Sequence, residues 1–260
     1  MCLIFFSINH HPNYRLIIAA NRDEFHARRT APADYWPDAP GVLAGRDLEA
    51  NGTWMGVSRQ GRVSLITNYR DPHHINPKAP SRGHLVSDFL AGNEPLQDYL
   101  RNVEQHGHKF NGFNLVTGFP GELWYYSNYG KGVQRVPDGL HGLSNHLLNT
   151  PWPKVERGKQ RIQPLLKQDS ISPDSLFEFL YDDQVAPDER LPDTGVGLER
   201  ERVLSSMFIK SPNYGSRCST VVLIDRNNHL LFSERVYDLT TFAHTTRTFE
   251  FDIAQASHEG

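Results

Sequence analysis

Cys2-Leu3-Ile4-Phe5-Phe6-Ser7-Ile8 and Leu16-Ile17-Ile18-Ala19-Ala20 are two apolar runs separated by a Pro12-Asn13 turn signal. Runs this short, bounded by turn residues, predict strands of a β-hairpin. The second run leads directly into Asn21-Arg22-Asp23-Glu24, four polar residues at a strand end. If the strands pair, those polar groups come close to Cys2. Initiator methionine is trimmed where the second residue is small, so Cys2 is expected to become amino-terminal. Its thiol would then carry its own base, because an α-amine with a reference pKa of about 7.7–8.0 accepts protons near neutrality. Free cysteine is also among the most buried residue types, so position alone leaves a plain packing role open.

Working outward, Thr30–Pro40 reads as a proline-rich loop. Asn51-Gly52 then leads into a strand over Thr53–Arg59, and Gln60-Gly61 turns the chain into Val63–Thr67. Helices follow. Ser81 is placed to cap one carrying Leu85/Phe89 and Val86/Leu90, and Pro95 opens a second with Leu96, Tyr99, Leu100 and Val103 on one face. Gly112–Gly118 and Glu122–Ser127 predict a hairpin around Pro120-Gly121, with short strands continuing to Leu143. Helical signals resume after Pro151, after Pro173 and over Leu198–Phe208, while Ala186–Gly197 reads as a surface loop. Strands return at Thr220–Ile224, Leu230–Tyr237 and Thr248–Ile253. Tight turns between neighbouring strands imply antiparallel sheets. The predicted class is therefore α+β, in one domain spanning 1–260.

Composition narrows the function. The 260 residues are 38% hydrophobic, enough for a substantial core. Lys and Arg number 27 against 30 Asp and Glu, which argues against a nucleic-acid binder. No apolar run approaches the ~20 residues of a membrane span, and Leu3–Ile8 is too short, and lacks the basic lead-in, for a signal peptide. With two cysteines, Cys2 and Cys218, there is no disulfide framework, so a reducing, cytoplasmic setting is expected; a single Cys2–Cys218 bridge is the one pairing available. The 13 histidines are scattered without ligand spacing, so no metal site is predicted.

Acyl transfer by an N-terminal thiol needs donors for the oxyanion and polar neighbours to hold the amine. Strand ends offer Arg22 and Asp23, Asn68, Asn145, and Arg217 ahead of the Cys218 strand. Each also has an ordinary reading, as turn former, surface ion pair or solvated strand flank.

The tetrapeptide Asn21-Arg22-Asp23-Glu24 does not stand alone. Ala44-Gly45-Arg46-Asp47, Gly52-Thr53-Trp54-Met55-Gly56-Val57-Ser58, Thr67-Asn68-Tyr69-Arg70, Ser81-Arg82-Gly83, Phe113-Asn114-Leu115, Leu143-Ser144-Asn145, Thr150-Pro151-Trp152-Pro153-Lys154-Val155 and Ser219-Thr220-Val221 follow in order. With this set the chain resembles the NRDE family, also called the Transport and Golgi organisation two family, over nearly its whole length. The resemblance implies an N-terminal-nucleophile hydrolase-like fold, a four-layer αββα sandwich of two antiparallel sheets between helices. In related acylases, such as bile-salt hydrolases and penicillin V acylases, an N-terminal Cys works with an Arg and an Asp after the second strand, two Asn and a late Arg. Cys2, Arg22, Asp23, Asn68, Asn145 and Arg217 occupy comparable places. Arg22 and Asp23 depart from that pattern in being adjacent, and adjacent strand residues face opposite ways. The resemblance implies a small acyl, amide or thioester ligand with no cofactor required for hydrolysis. It also brings two alternatives associated with the family: haem as a ligand, and acyl-CoA bound without turnover.

Overall fold

The computed structural model describes residues 2–254. Its first hairpin is the one predicted: β1 (Cys2–Ile8) pairs antiparallel with β2 (Tyr14–Phe25). The remaining strands are β3 (Thr30–Trp36), β4 (Ala39–Asp47), β5 (Met55–Ser58), β6 (Val63–Asn68), β7 (Phe113–Phe119), β8 (Glu122–Ser127), β9 (Gln134–Arg135), β10 (Gly139–Leu143), β11 (Tyr214–Asp225), β12 (His229–Tyr237) and β13 (His244–Asp252). The helices are α1 (His84–Ala91), α2 (Leu96–His106), α3 (Pro153–Ile162), α4 (Pro173–Leu180) and α5 (Leu198–Leu204).

Two antiparallel sheets form. One has the order β10-β1-β2-β11-β12-β13 and the other β3-β4-β5-β6-β7-β8-β9. Residue alternation on β1 shows how they stack. Ile4, Phe6 and Ile8 point between the sheets, where they meet Leu43, Leu65 and Val116. Leu3 and Phe5 point the other way, against Val155 of α3 and Phe177 of α4. The second sheet likewise turns Ile66 and Leu115 outward onto Leu85 and Phe89 of α1 and Tyr99 of α2. Because β1 is buried on both faces, its sequence is a continuous apolar run and not an alternating one. The layers are α3/α4, sheet, sheet, α1/α2: the four-layer αββα arrangement that the resemblance implies.

Three local readings need correction. Thr30–Pro40 is not a loop but most of a hairpin, in which Trp36 pairs with Ala39 around Pro37-Asp38. Proline is tolerated there because β3 is an edge strand, and Pro32 falls where the register shifts between Ala31 and Asp34. Ser81 does not cap α1; Gly83 holds that position without a side-chain bond. The helix expected over Leu198–Phe208 ends at Leu204. There the hydroxyls of Ser205 and Ser206 donate to the carbonyls of Arg202 and Val203, competing with the helical ladder.

The outer layer docks closely at Gly158 of α3. A Cβ at this position would lie 2.0 Å from Cζ of Phe5. Gly to Ala within a helix ordinarily stabilises by about 1 kcal/mol; here overpacking reverses the sign. Gly158→Ala is expected to cost about 1–3 kcal/mol, read as a lower urea midpoint with unchanged m-value, and an unchanged or raised midpoint contradicts this packing.

Candidate functional site

Cys2 opens β1 on the face between the sheets. Its register partner is Arg22 of β2, and on the other side of Arg22 stands Cys218 of β11. The three side chains form one row across the sheet. Two strand spacings, about 9.6 Å, separate the cysteines, beyond the ~7 Å limit for a bridge. Both are free and buried, so the Cys2–Cys218 disulfide is excluded by β2 lying between them.

Cys2 lines a cleft of about 310 Å³, together with Arg22, Asp23, Asn68, Trp54 and Arg82. Arg22 is held rigidly. Its guanidinium stacks 4.0 Å over the Trp54 ring and donates to Oγ1 of Thr30 at 3.1 Å. Trp54 can lie there because position 45 is glycine, where a Cβ would stand 2.3 Å from the indole. A bond from the Thr53 amide to the Gly83 carbonyl ties the Trp54 loop to the start of α1 and brings Arg82 to the rim.

Alternation separates Arg22 from Asp23, as their adjacency implies. The Asp23 carboxylate turns to the helix side, where Oγ of Ser216 donates to it at 2.6 Å. Burial raises its pKa, and the neighbouring Lys154 ammonium opposes that rise. Asp23 still serves Cys2 through its backbone, whose amide hydrogen-bonds the thiol. Burial outweighs this bond and pushes the Cys2 pKa up.

The two asparagines differ in role. Asn68 ends β6 and lines the cleft. Asn145 is fully buried behind it. Its side-chain amide donates to the Asn68 carbonyl at 3.0 Å, its Oδ1 accepts from Ser144, and its own carbonyl accepts the Arg70 amide. Asn145 thus braces Asn68 and does not line the cleft. Arg217 is also removed from Cys2. It sits at a register shift of β11, where its guanidinium donates to the carbonyls of Phe25, His26 and Arg28 and clamps the end of β2. It lines a separate small cavity of about 80 Å³ with Arg22, Cys218 and Glu234.

Several groups around the cleft were not picked out as site residues, although motifs quoted above contain most of them. Arg82 stands in Ser81-Arg82-Gly83 and Trp54 in the Gly52–Ser58 motif. Lys154 stands in Thr150–Val155; it is buried on the helix side with Asp23, and burial brings its pKa down to about 8. Arg70 and Glu201 form a buried ion pair at 2.7 Å. Glu234 had no sequence signal. It is buried beside Arg22 and Cys218, accepts the Ala33 amide at 2.6 Å, and is raised by burial to about 7. Among the described residues, no cluster of His, Cys, Asp or Glu is arranged to hold a metal ion, and no helix is long and apolar enough to cross a membrane. The trimming of Met1 lies outside the described residues.

Glu234 makes a pH test. Its folded-state pKa of about 7 lies above the ordinary value of 4.5, so between those values the folded state binds more protons than the unfolded one. Stability from this group therefore falls as pH rises from 4.5 to 7, by about 3 kcal/mol in all. Glu234→Gln keeps the acceptor for Ala33 and removes the fall. The stability of the variant relative to wild type should climb across that window in thermal or urea unfolding, and parallel pH curves contradict the reading.

Comparison with known proteins supplies the family. The model of the family described as Transport and Golgi organisation 2 matches residues 1–239. The mouse Transport and Golgi organization 2 homolog is 36% identical over 275 residues, covering 97% of this chain and 99% of its own. The Drosophila melanogaster protein is 29% identical over 266 residues, covering 90% and 91%. Among solved structures, a Caenorhabditis elegans N-acylethanolamine-hydrolyzing acid amidase ortholog aligns with TM-score 0.49 and 10% identity, over 85% of this chain and 92% of its own. A mutant conjugated bile acid hydrolase from Clostridium perfringens aligns with TM-score 0.48 and 8% identity, over the whole of both chains. With the family model matching most of its length, the chain belongs to the Transport and Golgi organisation 2 family.

Proposed function

We propose that this protein is an N-terminal-cysteine hydrolase acting on a small acyl compound through an amide or thioester bond. The observation that carries the reading is that Cys2 lines one polar cleft with a rigidly held Arg22 and a braced Asn68. Burial keeps the thiol protonated at rest, so attack requires a base that takes the proton as the sulfur–carbon bond forms. After removal of Met1, the α-amine of Cys2 is that base. The sulfur attacks the carbonyl carbon, and the carbonyl oxygen becomes an oxyanion facing the donors of Asn68. Collapse returns the amine's proton to the leaving nitrogen or sulfur and leaves a thioester on Cys2. Water, deprotonated by the same amine, then attacks the thioester carbonyl; the carbon–sulfur bond breaks, the acid leaves, and the amine returns the proton to the Cys2 sulfur.

The other readings use the same cleft. Acyl-CoA binding without turnover would need the arginines but not the thiol. No histidine is among the described residues lining the cleft, so a haem there would have the Cys2 sulfur as its protein ligand. A reducing, cytoplasmic compartment suits a free thiol.

The intact mass of purified protein, before and after a thiol-directed acylating probe, tests the mechanism. Loss of Met1 and one acyl adduct, absent in Cys2→Ala, are expected; retention of Met1 on active protein sinks the amine-base mechanism. With a turned-over acyl substrate in hand, Asn68→Ala should lower kcat by about 10²–10³ with little change in KM.

A further inference from the structure

We infer that the cleft beside Cys2 carries an oxyanion subsite built by Arg22 and Arg82, so that its substrate is an acyl compound bearing a carboxylate or phosphate close to the carbonyl that Cys2 attacks. This deepens the acyl-transfer reading by naming the substrate class.

The argument is a count of guanidinium donors. A guanidinium has five N–H donors in a planar fork. Arg22 is only 5% exposed, yet among the described residues its sole side-chain hydrogen bond goes to Thr30. Arg82, partly buried, gives one bond among the described residues, to the Gly112 carbonyl at 2.9 Å. Neither forms a salt bridge among the described residues. Their remaining N–H groups are not among the sealed, unsatisfied atoms of the molecule, in contrast to Nε and Nη2 of Arg70. They therefore reach open space, which for Arg82 is this cleft and for Arg22 is both the cleft and the small adjoining cavity.

The acidic residues of the cleft do not cancel this charge. Asp47 is taken by Arg28 through two bonds, of 2.6 and 2.9 Å. Asp23 turns its carboxylate to Ser216 on the far face. That leaves two guanidiniums against the carboxylate of Glu24 in the cleft, while Glu234, beside Arg22 in the adjoining cavity, carries only part of a charge near neutrality because burial raises it to about 7. Stacking on Trp54 and the bond to Gly112 fix both forks in advance, so little side-chain entropy is lost when an anion docks. Partly desolvated guanidiniums with unused donors are the arrangement that binds a planar carboxylate or a phosphate in bidentate fashion. The apolar lining is limited to small patches such as Trp54 and Ile66, which argues for a compact polar ligand.

The test uses two reagents that differ only in charge. Iodoacetate and iodoacetamide each lose iodide to the attacking sulfur, and peptide mass mapping reports the adduct on Cys2. An oxyanion subsite makes iodoacetate the faster reagent at Cys2, reversing the preference of a free thiol. In Arg82→Met the iodoacetate-to-iodoacetamide rate ratio should fall about tenfold or more, with partial recovery in Arg82→Lys. Protection by sodium acetate or by inorganic phosphate tells carboxylate from phosphate. Reaction with both reagents at the free-thiol ratio overturns the subsite and leaves the hydrolase reading standing. If Cys2 is inert to both, the hydrolase reading falls. The subsite is then judged by Tm: a rise with millimolar acetate or phosphate in wild type but not in Arg82→Met upholds it, and no rise overturns it.

Discussion

The pairing of β1 with β2, in the register that sets Cys2 opposite Arg22, is the constraint on which the rest of the structure depends. Side chains alternate across a strand with a period of two, so this register decides every residue's destination at once. Even-numbered residues of β1 go to the layer between the sheets, and odd-numbered ones to α3 and α4. A slip of β1 by one residue would send Cys2 toward the helices, onto the face that carries Asp23, and away from Arg22 and the cleft. The buried apolar residues on both faces of β1 hold the register against that slip. β11 then adds to the other side of β2 with Cys218 beside Arg22, and the site is laid out as a row before any loop contributes to it.

Arg22 and Asp23 show how one strand end serves two environments. On the inner face Arg22 stacks on Trp54 and borders the cleft. On the outer face Asp23 joins Ser216 and Lys154 in a buried polar layer. Charges are costly to bury unless they are paired or hydrogen-bonded, and this layer collects several: Asp23, Lys154, Arg70 and Glu201. Such a network tolerates little change, because removing one member leaves another charged and buried. It fixes the start of α3 and the segment after Asn68 around the end of β2. The position of Asn68 in the cleft is therefore set from behind, through Asn145 and the Arg70 amide.

Much of this was legible in the chain. The two apolar runs predicted the founding hairpin, the element order predicted an α+β class with antiparallel sheets, and the family resemblance implied helices outside them. Adjacency of Arg22 and Asp23 predicted their opposite faces. The misreadings share a cause, which is that a local signal was overridden by its surroundings. Prolines suggested a loop at Thr30–Pro40, but an edge strand needs only one of its rows of N–H groups. Asn145 and Arg217 were chosen as polar strand-end groups, and they are that; whether such a group faces the cleft or braces it depends on which carbonyls lie nearby. Glu234 was invisible because a glutamate in an alternating strand reads as solvent-facing until a second sheet covers it.

By itself, the sequence determined the strands, the nucleophile candidate and the polar residues at the strand ends, because hydrophobic period and turn chemistry act over a few residues. Tertiary structure alone decided which of those polar groups share a cleft. Cys2, Arg22 and Asn68 meet only when two sheets stack and the Gly52–Trp54 loop packs on the start of α1. Arg82 enters the site through that contact and through its own bond to the Gly112 carbonyl, both of which join segments that no short-range pattern connects.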